Sequence, residues 1–322
     1  MGGAAALPNS IRHLSPPLQK LPSCAKIFQV IKMKCYSCPR MCGADREKNV
    51  GYCGAPWEFK IARAGLHFWE EPPISGKNGS GTVFFSGCNL GCVYCQNYEI
   101  SHENFGKTVS EKRLTEIFSE LEEKGAHNIN LVNPTHYAEK LVPLLADYRK
   151  NIPFVYNSSG YERVEILQRL EGLIDVYLPD LKYISGEKSL KYSKPENYFD
   201  CASRAILEMK RQCGENIYDS DGIIKKGLIV RHLILPKNTN QSIEILKWMA
   251  ENLGTDTAIS LMAQYTPYGK IENHPELQRK ITEREYNKVL TFAVDIGFKN
   301  IFTQEFASSS EEYIPDFDLT GV

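Results

Sequence analysis

The residues best suited to chemistry in this 322-residue chain are three cysteines in one short stretch, GCNLGCVYCQN, at residues 87–97. Cys88, Cys92 and Cys95 follow the spacing C-x3-C-x2-C. A structural zinc site takes four protein ligands, and an electron-transfer iron–sulfur cluster usually takes four thiolates. Three thiolates on a four-iron cluster leave one iron with an open coordination position. The spacing therefore predicts a cluster that binds a reactant, and the alternative is a zinc knuckle completed by His102.

A second group of cysteines precedes this loop with the spacing C-x2-C-x3-C-x10-C, and its members are Cys35, Cys38, Cys42 and Cys53. Four thiolates satisfy a tetrahedral zinc ion, and they equally satisfy an iron–sulfur cluster. Two tight cysteine clusters in a long chain without a secretory apolar segment indicate metal binding in a reducing compartment rather than disulfides. We therefore expect a cytoplasmic protein. Buried, inert thiols are expected at the remaining positions, Cys24, Cys201 and Cys213.

Charge and composition limit the class of partner. The chain has 38 Lys and Arg against 39 Asp and Glu, and the two signs are interspersed. A surface without a single-sign field argues against binding to nucleic acid or to anionic lipid. No apolar run reaches the roughly 18 residues that a membrane-spanning helix needs. These properties favour a small-molecule or protein substrate.

Strand-like and helix-like segments alternate after residue 81, and these elements must position the cysteines. Strands are predicted at residues 82–86, 128–132, 153–157, 174–179, 228–235 and 258–262, with a weaker one at 300–304. Helices are predicted at residues 110–125, 138–150, 162–170, 198–212, 242–253 and 283–295. Such alternation predicts parallel pairing with right-handed crossovers, in either a doubly wound sheet or a barrel. Both architectures place the active site at the carboxyl ends of the strands, and the three-cysteine loop directly follows the first strand.

The three-cysteine loop after the first strand of a (βα)6 chain, with Tyr94 just before the last cysteine, resembles the radical S-adenosylmethionine (SAM) superfamily. The chain is similar in particular to the branch related to pyruvate formate-lyase activating enzymes, from Cys35 to Val322. The motifs that carry this similarity follow or end predicted strands. They are NPTHYAE at 133–139, YNSSGYE at 156–162, YLPDLKY at 177–183, RHLILP at 231–236 and SLMAQYTP at 260–267.

The resemblance implies an α/β fold, a partial (βα)6 TIM-like barrel of parallel strands with an N-terminal cysteine-rich metal-binding extension. We expect a poorly ordered leader at residues 1–34, the extension at 35–70, and the barrel with a C-terminal helix and strand at 71–322. The resemblance also implies a 4Fe-4S cluster on the three-cysteine loop, with SAM on its open iron. A reductant such as flavodoxin or ferredoxin would reduce the cluster, and cleavage of SAM would give a 5'-deoxyadenosyl radical that takes hydrogen from the substrate.

The resemblance assigns candidate cofactor contacts after the second strand. The superfamily often carries Gly-Gly-Glu there to hold the amino group of SAM, whereas this chain has Asn133, Pro134, Thr135 and His136. Asn133, Thr135 and His136 are therefore the candidate contacts. The alternative is the first turn of a helix, with Asn133 as its N-cap.

The third and fourth strands supply further candidates through the resemblance. Asp180 would bind a monovalent cation or accept a hydrogen bond, and Lys182 would meet the carboxylate of SAM as a point charge. The alternative is a surface ion pair. Asn157 and Ser159 would contact the ribose or the cation, although they would equally suit a polar turn.

Three other segments complete the candidate site. Arg231 and His232 lie within an apolar strand, and alternation requires one of them to face inward, where a charge is costly unless it is paired. A contact with SAM is expected from whichever faces inward. Gln264 is a candidate near the adenine, and Tyr94 is a candidate within the cysteine loop.

The sequence leaves three functions open. The leading prediction is a radical SAM oxidoreductase that acts on a protein or peptide, as the activases of glycyl-radical enzymes do. The second is radical modification of a small molecule. The third is a zinc-binding structural or sensor protein without enzymatic activity.

Overall fold

The computed structural model describes residues 1–2, 34–303 and 315–322. The chain divides into two compact units, Met1–Met33 and Lys34–Val322. The predicted leader and Cys24 lie outside the described residues, apart from residues 1, 2 and 34 of the leader. The architecture below is that of the second unit.

In the described part of the chain, strands of one mixed sheet alternate with helices. The strands are β1 (Phe59–His67), β2 (Ser80–Phe85), β3 (Lys107–Val109), β4 (Ile129–Val132), β5 (Phe154–Ser158), β6 (Val176–Pro179), β7 (Ile217–Tyr218), β8 (Ile224–Leu233), β9 (Ala258–Met262) and β10 (Ile301–Thr303). The helices are α1 (Pro72–Ser75), α2 (Tyr98–Ser101), α3 (Glu111–Glu123), α4 (Ala138–Asp147), α5 (Val164–Arg169), α6 (Gly186–Ser193), α7 (Tyr198–Cys213), α8 (Thr239–Leu253) and α9 (Glu283–Asp295).

The order of the strands shows how the sheet is wound. It runs β10-β9-β8-β6-β5-β4-β2-β1-β3, and all neighbours from β2 to β10 along this path pair in parallel. Each parallel strand therefore lies beside the parallel strand that precedes it in the chain. A barrel is wound in this sequential way, whereas a doubly wound sheet reverses its order at a switch point. The observed fold is a mixed α/β fold with a largely parallel sheet.

The edge formed by β1 and β3 differs from the prediction of parallel strands alone. β1 pairs antiparallel with β2 on one side and with β3 on the other. Residues 59–67 were assigned to the cysteine-rich extension, but Phe59, Ile61 and Ala64 are buried in the sheet, so this segment belongs to the main core. The reason is its alternation of buried and partly exposed side chains, which is typical of a strand covered on one face.

Alternating residues of the parallel strands form two separate apolar layers. One face packs against the helices through residues such as Tyr156, Tyr177 and Val230. The other face packs around Ile74 of α1 through Val155, Val176, Leu178, Ile229 and Ala258. The segment between β1 and β2 carries α1, which lies against the inner face of the sheet. The Asn128 side-chain amide donates to the Ile74 carbonyl (2.7 Å) and holds α1 there.

Candidate active site

The three-cysteine loop begins where β2 ends. Gly87 adopts a φ of +93°, and a Cβ atom at this position would lie 2.8 Å from the carbonyl oxygen of Cys53. Only glycine fits this close approach without strain. The amide of Cys88 donates to the same Cys53 carbonyl (3.1 Å), so the loop begins directly against the four-cysteine segment.

Each sulfur of the loop accepts a hydrogen bond. The Leu90 amide donates to Cys88 Sγ (3.3 Å), Ser193 Oγ donates to Cys92 Sγ (3.0 Å), and Ser101 Oγ donates to Cys95 Sγ (3.2 Å). Asn133 Nδ2 lies 3.6 Å from Cys88 Sγ as a second donor. Donors of this kind stabilise negative charge on a sulfur and tune iron–sulfur clusters.

Burial keeps the Cys92 and Cys95 thiols protonated when no metal is bound. Burial, together with the neighbouring thiols Cys92 and Cys88, raises the pKa of Cys95 to about 12. Burial also raises the pKa of Cys92, although Lys182 opposes the rise. A metal centre deprotonates the thiols that bind it, so metal binding here releases protons.

Two cavities that share several lining residues lie beside the three-cysteine loop. The smaller, of about 140 Å³, is lined by all three cysteines, and the larger, of about 220 Å³, is lined by Cys92 and Cys95. Residues that line both cavities include Asn157, Asp180, Lys182 and Arg231. The larger cavity is also bounded by Trp69, Tyr94, Met262, Gln264 and Tyr265. A more open groove of about 680 Å³ lies on the outer surface between α3 and α4, and its described lining contains no cysteine.

A largely buried layer of charged side chains lines both cavities beside the cysteines. Arg231 donates through Nε to Asp180 Oδ1 (2.9 Å), through Nη1 to Glu70 Oε2 (3.2 Å) and through Nη2 to Asn157 Oδ1 (2.5 Å). Lys182 Nζ donates to the other oxygen of Asp180 (2.6 Å). Each charge is hydrogen-bonded to an opposite charge, which offsets the cost of burying it.

Electrostatics in this layer keep Asp180 and Lys182 ionised. Burial alone would raise the pKa of Asp180, but the positive charges of Arg231 and Lys182 outweigh burial, and the pKa is lowered. Burial alone would lower the pKa of Lys182, but Asp180 and Cys92 outweigh it, and the pKa is raised. The Lys182 ammonium is thus a persistent positive charge that faces the cysteine side of the cavity.

Strand alternation resolves the choice between Arg231 and His232. Arg231 faces the cavity, whereas His232 faces the helices and lies outside the cavity lining. Nδ1 of His232 is 2.7 Å from the Leu181 carbonyl, and Nε2 is 2.8 Å from Ser242 Oγ of α8. Burial lowers the pKa of His232 to about 4, so the ring is neutral.

The residues after β4 also differ in whether they line a cavity. Asn133 lines the smaller cavity, whereas Thr135 and His136 lie behind it. The Thr135 hydroxyl lies 2.8 Å from Asn133 Oδ1 and 2.5 Å from Oε1 of the buried Glu162. Nε2 of His136 lies 2.8 Å from the Ser86 carbonyl, which directly precedes the loop, and burial lowers its pKa to about 3. Thr135 and His136 are therefore placed to position the cavity wall.

The other predicted residues lie at the cavities. Ser159 lines the smaller one, and its hydroxyl has no hydrogen-bond partner among the described residues. Gln264 lines the larger one. The His102 ring stacks on Tyr98 with centroids 4.3 Å apart, and its Nδ1 lies 2.8 Å from Ser101 Oγ.

Several side chains at the site were not anticipated from the sequence. They are Glu70, Asn130, Ser101, Tyr183 and Ser193. Glu70 accepts hydrogen bonds from Asn130 (3.0 Å), Asn157 (3.2 Å) and Arg231. In the sequence, Glu70 is marked by its place in a pair of acidic residues directly before two prolines.

The four-cysteine segment packs against the outside of the loop. Cys35, Cys38 and Cys53 are buried, and Cys42 is exposed. A Cβ atom at Gly51 would lie 3.3 Å from Cys53 Sγ and 3.7 Å from Cys42 Sγ, so these two sulfurs converge on Gly51. Burial raises the pKa of Cys38 to about 12.

Arg40 connects the four-cysteine segment to the three-cysteine loop through hydrogen bonds. It donates through Nε to the Asn89 carbonyl (2.8 Å) and through Nη2 to the carbonyls of Leu90 (3.1 Å) and Ser193 (3.3 Å). The guanidinium also lies over the ring of Tyr52, 4.1 Å from its centroid. One side chain therefore joins the four-cysteine segment, the cysteine loop and the end of α6.

The donor set fits a four-iron cluster on three thiolates. Three sulfurs line one cavity, each accepts a hydrogen bond, and the Lys182 side chain lines the same cavity. Within residues 34–303 and 315–322, no three His, Cys, Asp or Glu side chains are arranged to hold a single metal ion. A cubane cluster is larger than one ion and holds its thiolates further apart. In the same part of the chain, no helix is long and apolar enough to cross a membrane.

Comparison with known proteins agrees with this geometry. Residues 74–199 match the family model of a 4Fe-4S single cluster domain, a range that contains the three-cysteine loop. The chain is 31% identical over 295 residues, 88% of its length, to the uncharacterized protein MJ0674 of Methanocaldococcus jannaschii, of which it covers 81%. It is 23% identical over 214 residues, 65% of its length, to a Haemophilus influenzae protein named as a glycyl-radical enzyme activating enzyme, of which it covers 76%.

Two solved structures are more distant. Streptococcus suis SuiB aligns with 71% of this chain at a TM-score of 0.47 and 16% identity, and the chain spans half of SuiB. A domain of the pyruvate-formate lyase-activating enzyme from Bacteroides vulgatus aligns with 52% of this chain and 92% of its own length, at a TM-score of 0.38 and 13% identity.

The chain belongs to the radical SAM superfamily, in the branch related to pyruvate formate-lyase activating enzymes. The cofactors of this superfamily are a 4Fe-4S cluster and SAM. Membership supports an enzyme of the radical SAM kind.

Proposed function

We propose that this radical SAM enzyme abstracts hydrogen from a protein or peptide, as the activase of a glycyl-radical enzyme does. The observation that carries the proposal is the cavity in which three hydrogen-bonded thiols face Lys182, Asp180 and Arg231. The similarity to a relative named as an activating enzyme of glycyl-radical enzymes supports a polypeptide substrate. Modification of a small molecule is the alternative that the test below distinguishes.

Cys88, Cys92 and Cys95 would bind three irons of the cluster. When bound, the cluster and SAM supply one-electron cleavage of a carbon–sulfur bond and the abstraction of a hydrogen atom. The hydrogen bonds to the three sulfurs hold the loop in one conformation. Buried side chains such as Phe85 and Leu90 form part of the wall of the smaller cavity and would limit the access of water to the cluster.

The charged wall would orient SAM. Lys182 carries a persistent positive charge at the cavity and would attract the carboxylate, as an ammonium does. Asp180 would accept from the amino group or bind a monovalent cation. Arg231 holds Asp180 in place through the 2.9 Å hydrogen bond and is itself held by Glu70 and Asn157.

Other polar residues at the cavities would complete the contacts. Asn133, Asn157 and Ser159 line the smaller cavity, and the unpartnered Ser159 hydroxyl is available to a ribose or a cation. Tyr94 and Gln264 line the larger cavity, where the adenine would lie. Thr135, His136 and His232 would act through their neighbours and not by contact with SAM.

The sequential sheet would be a partial (βα)6 barrel to which β10 adds a seventh parallel strand. The residues before β1 would form an extension with its own metal centre on Cys35, Cys38, Cys42 and Cys53. Both zinc and an iron–sulfur cluster accept four thiolates. Metal analysis of the purified protein decides between them.

The test is the formation of 5'-deoxyadenosine from SAM after anaerobic reconstitution with iron and sulfide and reduction with dithionite. We expect product from the wild type and from the Cys201→Ala control, which removes a buried cysteine outside both clusters. Cys92→Ala should give only the background. Undiminished product in Cys92→Ala, or none from a wild type loaded with iron, would contradict the proposal.

The substrate class is tested with a synthetic peptide that contains α-deuterated glycine and copies a glycyl-radical loop. Transfer of deuterium into 5'-deoxyadenosine supports the activase proposal. If 5'-deoxyadenosine forms without deuterium, both with this peptide and with an intact glycyl-radical enzyme, the small-molecule alternative is favoured.

A further inference from the structure

We propose that Tyr94, Tyr183 and Ser193 form a hydrogen-bond relay that ends on the sulfur of Cys92 and raises the reduction potential of the cluster. The inference rests on the proposed function, because it concerns the cluster on the three-cysteine loop. Tyr183 and Ser193 act as positioning residues, since neither would touch the substrate.

The relay is a continuous chain of short contacts. The Tyr94 and Tyr183 hydroxyls are 2.6 Å apart, and the Tyr183 hydroxyl is 2.7 Å from Ser193 Oγ. Ser193 Oγ is 3.0 Å from Cys92 Sγ. Tyr183 and Ser193 are fully buried, and Tyr94 is 5% exposed, so bulk water does not compete for these hydrogen bonds.

Elementary valence fixes the direction of the relay. A thiolate that binds iron only accepts hydrogen bonds, so Ser193 must donate to Cys92. The serine hydroxyl has one proton, so it must accept from Tyr183, and Tyr183 must accept from Tyr94. Both tyrosines carry a phenolic O–H, which can donate one hydrogen bond while its oxygen accepts another.

The fold holds the relay against the loop at both ends. Tyr94 lies two residues beyond Cys92, so the relay closes a ring with the loop itself. The Val93 amide donates to the Tyr192 carbonyl (2.9 Å), which fixes the loop to the end of α6 beside Ser193. Arg40 donates to the Ser193 carbonyl from the other side.

Cys92 differs from the other two cysteines in this respect. Cys88 accepts from a backbone amide, and Cys95 accepts from Ser101, whose hydroxyl also contacts the partly exposed His102. In the relay, each hydroxyl polarises the next, which strengthens the final bond by about 10–30%.

Reduction adds an electron to a buried centre, so a donor to a thiolate stabilises the reduced state more than the oxidised state. Hydrogen bonds to the sulfurs are among the factors that set cluster potentials. Loss of the Ser193 hydroxyl should therefore make the cluster harder to reduce. Loss of a tyrosine hydroxyl should have the same sign and a smaller size, because it removes polarisation and not the bond itself.

The experiment is a potentiometric titration of the reconstituted cluster, followed by EPR, without SAM or substrate. At the wild-type midpoint, we expect Ser193→Ala to lower the ratio of reduced to oxidised cluster by up to about tenfold, which for one electron is 59 mV. Tyr183→Phe should shift the ratio less, and Tyr94→Phe least. Ser193→Thr should restore the wild-type value, and Ser203→Ala, which changes a partly exposed serine of α7 outside the relay, should leave it unchanged.

Equal midpoints for wild type, Ser193→Ala and Tyr183→Phe, at unchanged iron content, would overturn the relay while leaving the proposed function intact. A shift in Ser193→Ala alone would also overturn it, since serine would then act without the tyrosines. If Ser193→Ala loses its iron, the midpoint of Tyr183→Phe decides by the same criterion. A wild type that binds no four-iron cluster on the loop overturns both the relay and the proposed function.

Discussion

The two groups of cysteines in this protein are adjacent but face in different directions. In the loop after β2, all three thiols line a cavity whose opposite wall carries Lys182, Asp180 and Arg231. In the segment at residues 35–53, three of four thiols are buried, and none lines the cavities described above. Three thiols that line a cavity leave space for a reactant beside them, whereas the other group lies outside the cavities.

The two groups are also mechanically joined. The Cys53 carbonyl accepts from the Cys88 amide, and Arg40 reaches across to two carbonyls of the loop. The closed group therefore supports the open one. The comparison predicts that changes at the open group act on the chemistry directly, while changes at the closed group act through the conformation of the loop.

The largest expected effect is the difference in activity between a variant of the three-cysteine group and a variant of the four-cysteine group. We expect Cys88→Ala to abolish formation of 5'-deoxyadenosine, because the cluster loses one of three ligands. Cys42→Ala changes the exposed member of the four-cysteine group and should lower the rate only in part. Activity and iron content are measured for both variants. If the two variants lost the same activity while their loops held the same amount of iron, the two groups of cysteines would not differ in function.

The next effect concerns the charged wall of the open site. Lys182→Met removes the ammonium that faces the cavity and should weaken SAM binding by about 10- to 100-fold, since hydrogen bonds to charged groups contribute about 1.5–3 kcal/mol. Calorimetric titration of the loaded protein with SAM measures this. Lys247→Met on the exposed face of α8 is the control. Wild-type affinity in Lys182→Met would remove Lys182 from the SAM site.

A pH dependence is expected from Glu162, which lies behind both groups. Its charge acts on Cys38, and its carboxylate contacts Thr135, the neighbour of Asn133. Burial raises the pKa of Glu162 to about 7. The folded protein then binds a proton that the unfolded chain has lost between about pH 4 and pH 7, so stability falls as pH rises through this window.

The variant Glu162→Gln should remove this dependence. We expect it to be more stable than the wild type at pH 8, by up to about 3 kcal/mol, and nearly equal to it at pH 5. Urea unfolding of the metal-free protein at the two pH values provides the measurement, with the exposed Glu165→Gln as the control. A gain of the same size at both pH values would contradict the raised pKa.

The smallest effect should come from the link between the groups. Arg40→Ala removes three hydrogen bonds to carbonyls, each worth about 1 kcal/mol or less in partly exposed positions. Iron should be lost from the loop several-fold faster in the presence of a chelator, while SAM affinity of the intact cluster stays unchanged. Arg204→Ala on α7 is the control. Unchanged iron loss would show that the closed group does not support the open one.

The sequence predicted the parallel part of the fold well because strand and helix periodicities are local signals. The predicted strand at 258–262 and helix at 283–295 coincide with β9 and α9. β1 was not predicted, because its residues fall within the range that was assigned to the cysteine-rich extension. β3 has only three residues, which are too few to show a periodic pattern.

The candidate site was predictable in part, for a similar reason. Residues at the carboxyl ends of strands, such as Asp180 and Lys182, can be found from the strands alone. The sequence could not show which of the Arg231 and His232 side chains faces inward, because strand alternation requires only that one of the two does. Tyr183 and Ser193 meet the loop across about ninety to a hundred residues of sequence, and a contact of that range leaves no local pattern.

The most direct test of the open site is the EPR spectrum of the reduced, reconstituted protein before and after the addition of SAM. SAM with 15N in its amino group makes the contact visible through coupling to the cluster. We predict a changed spectrum with nitrogen coupling in the wild type and no such change in Cys92→Ala. An unchanged spectrum in a wild type that carries the loop cluster would contradict the conclusion that three thiols leave one iron for SAM.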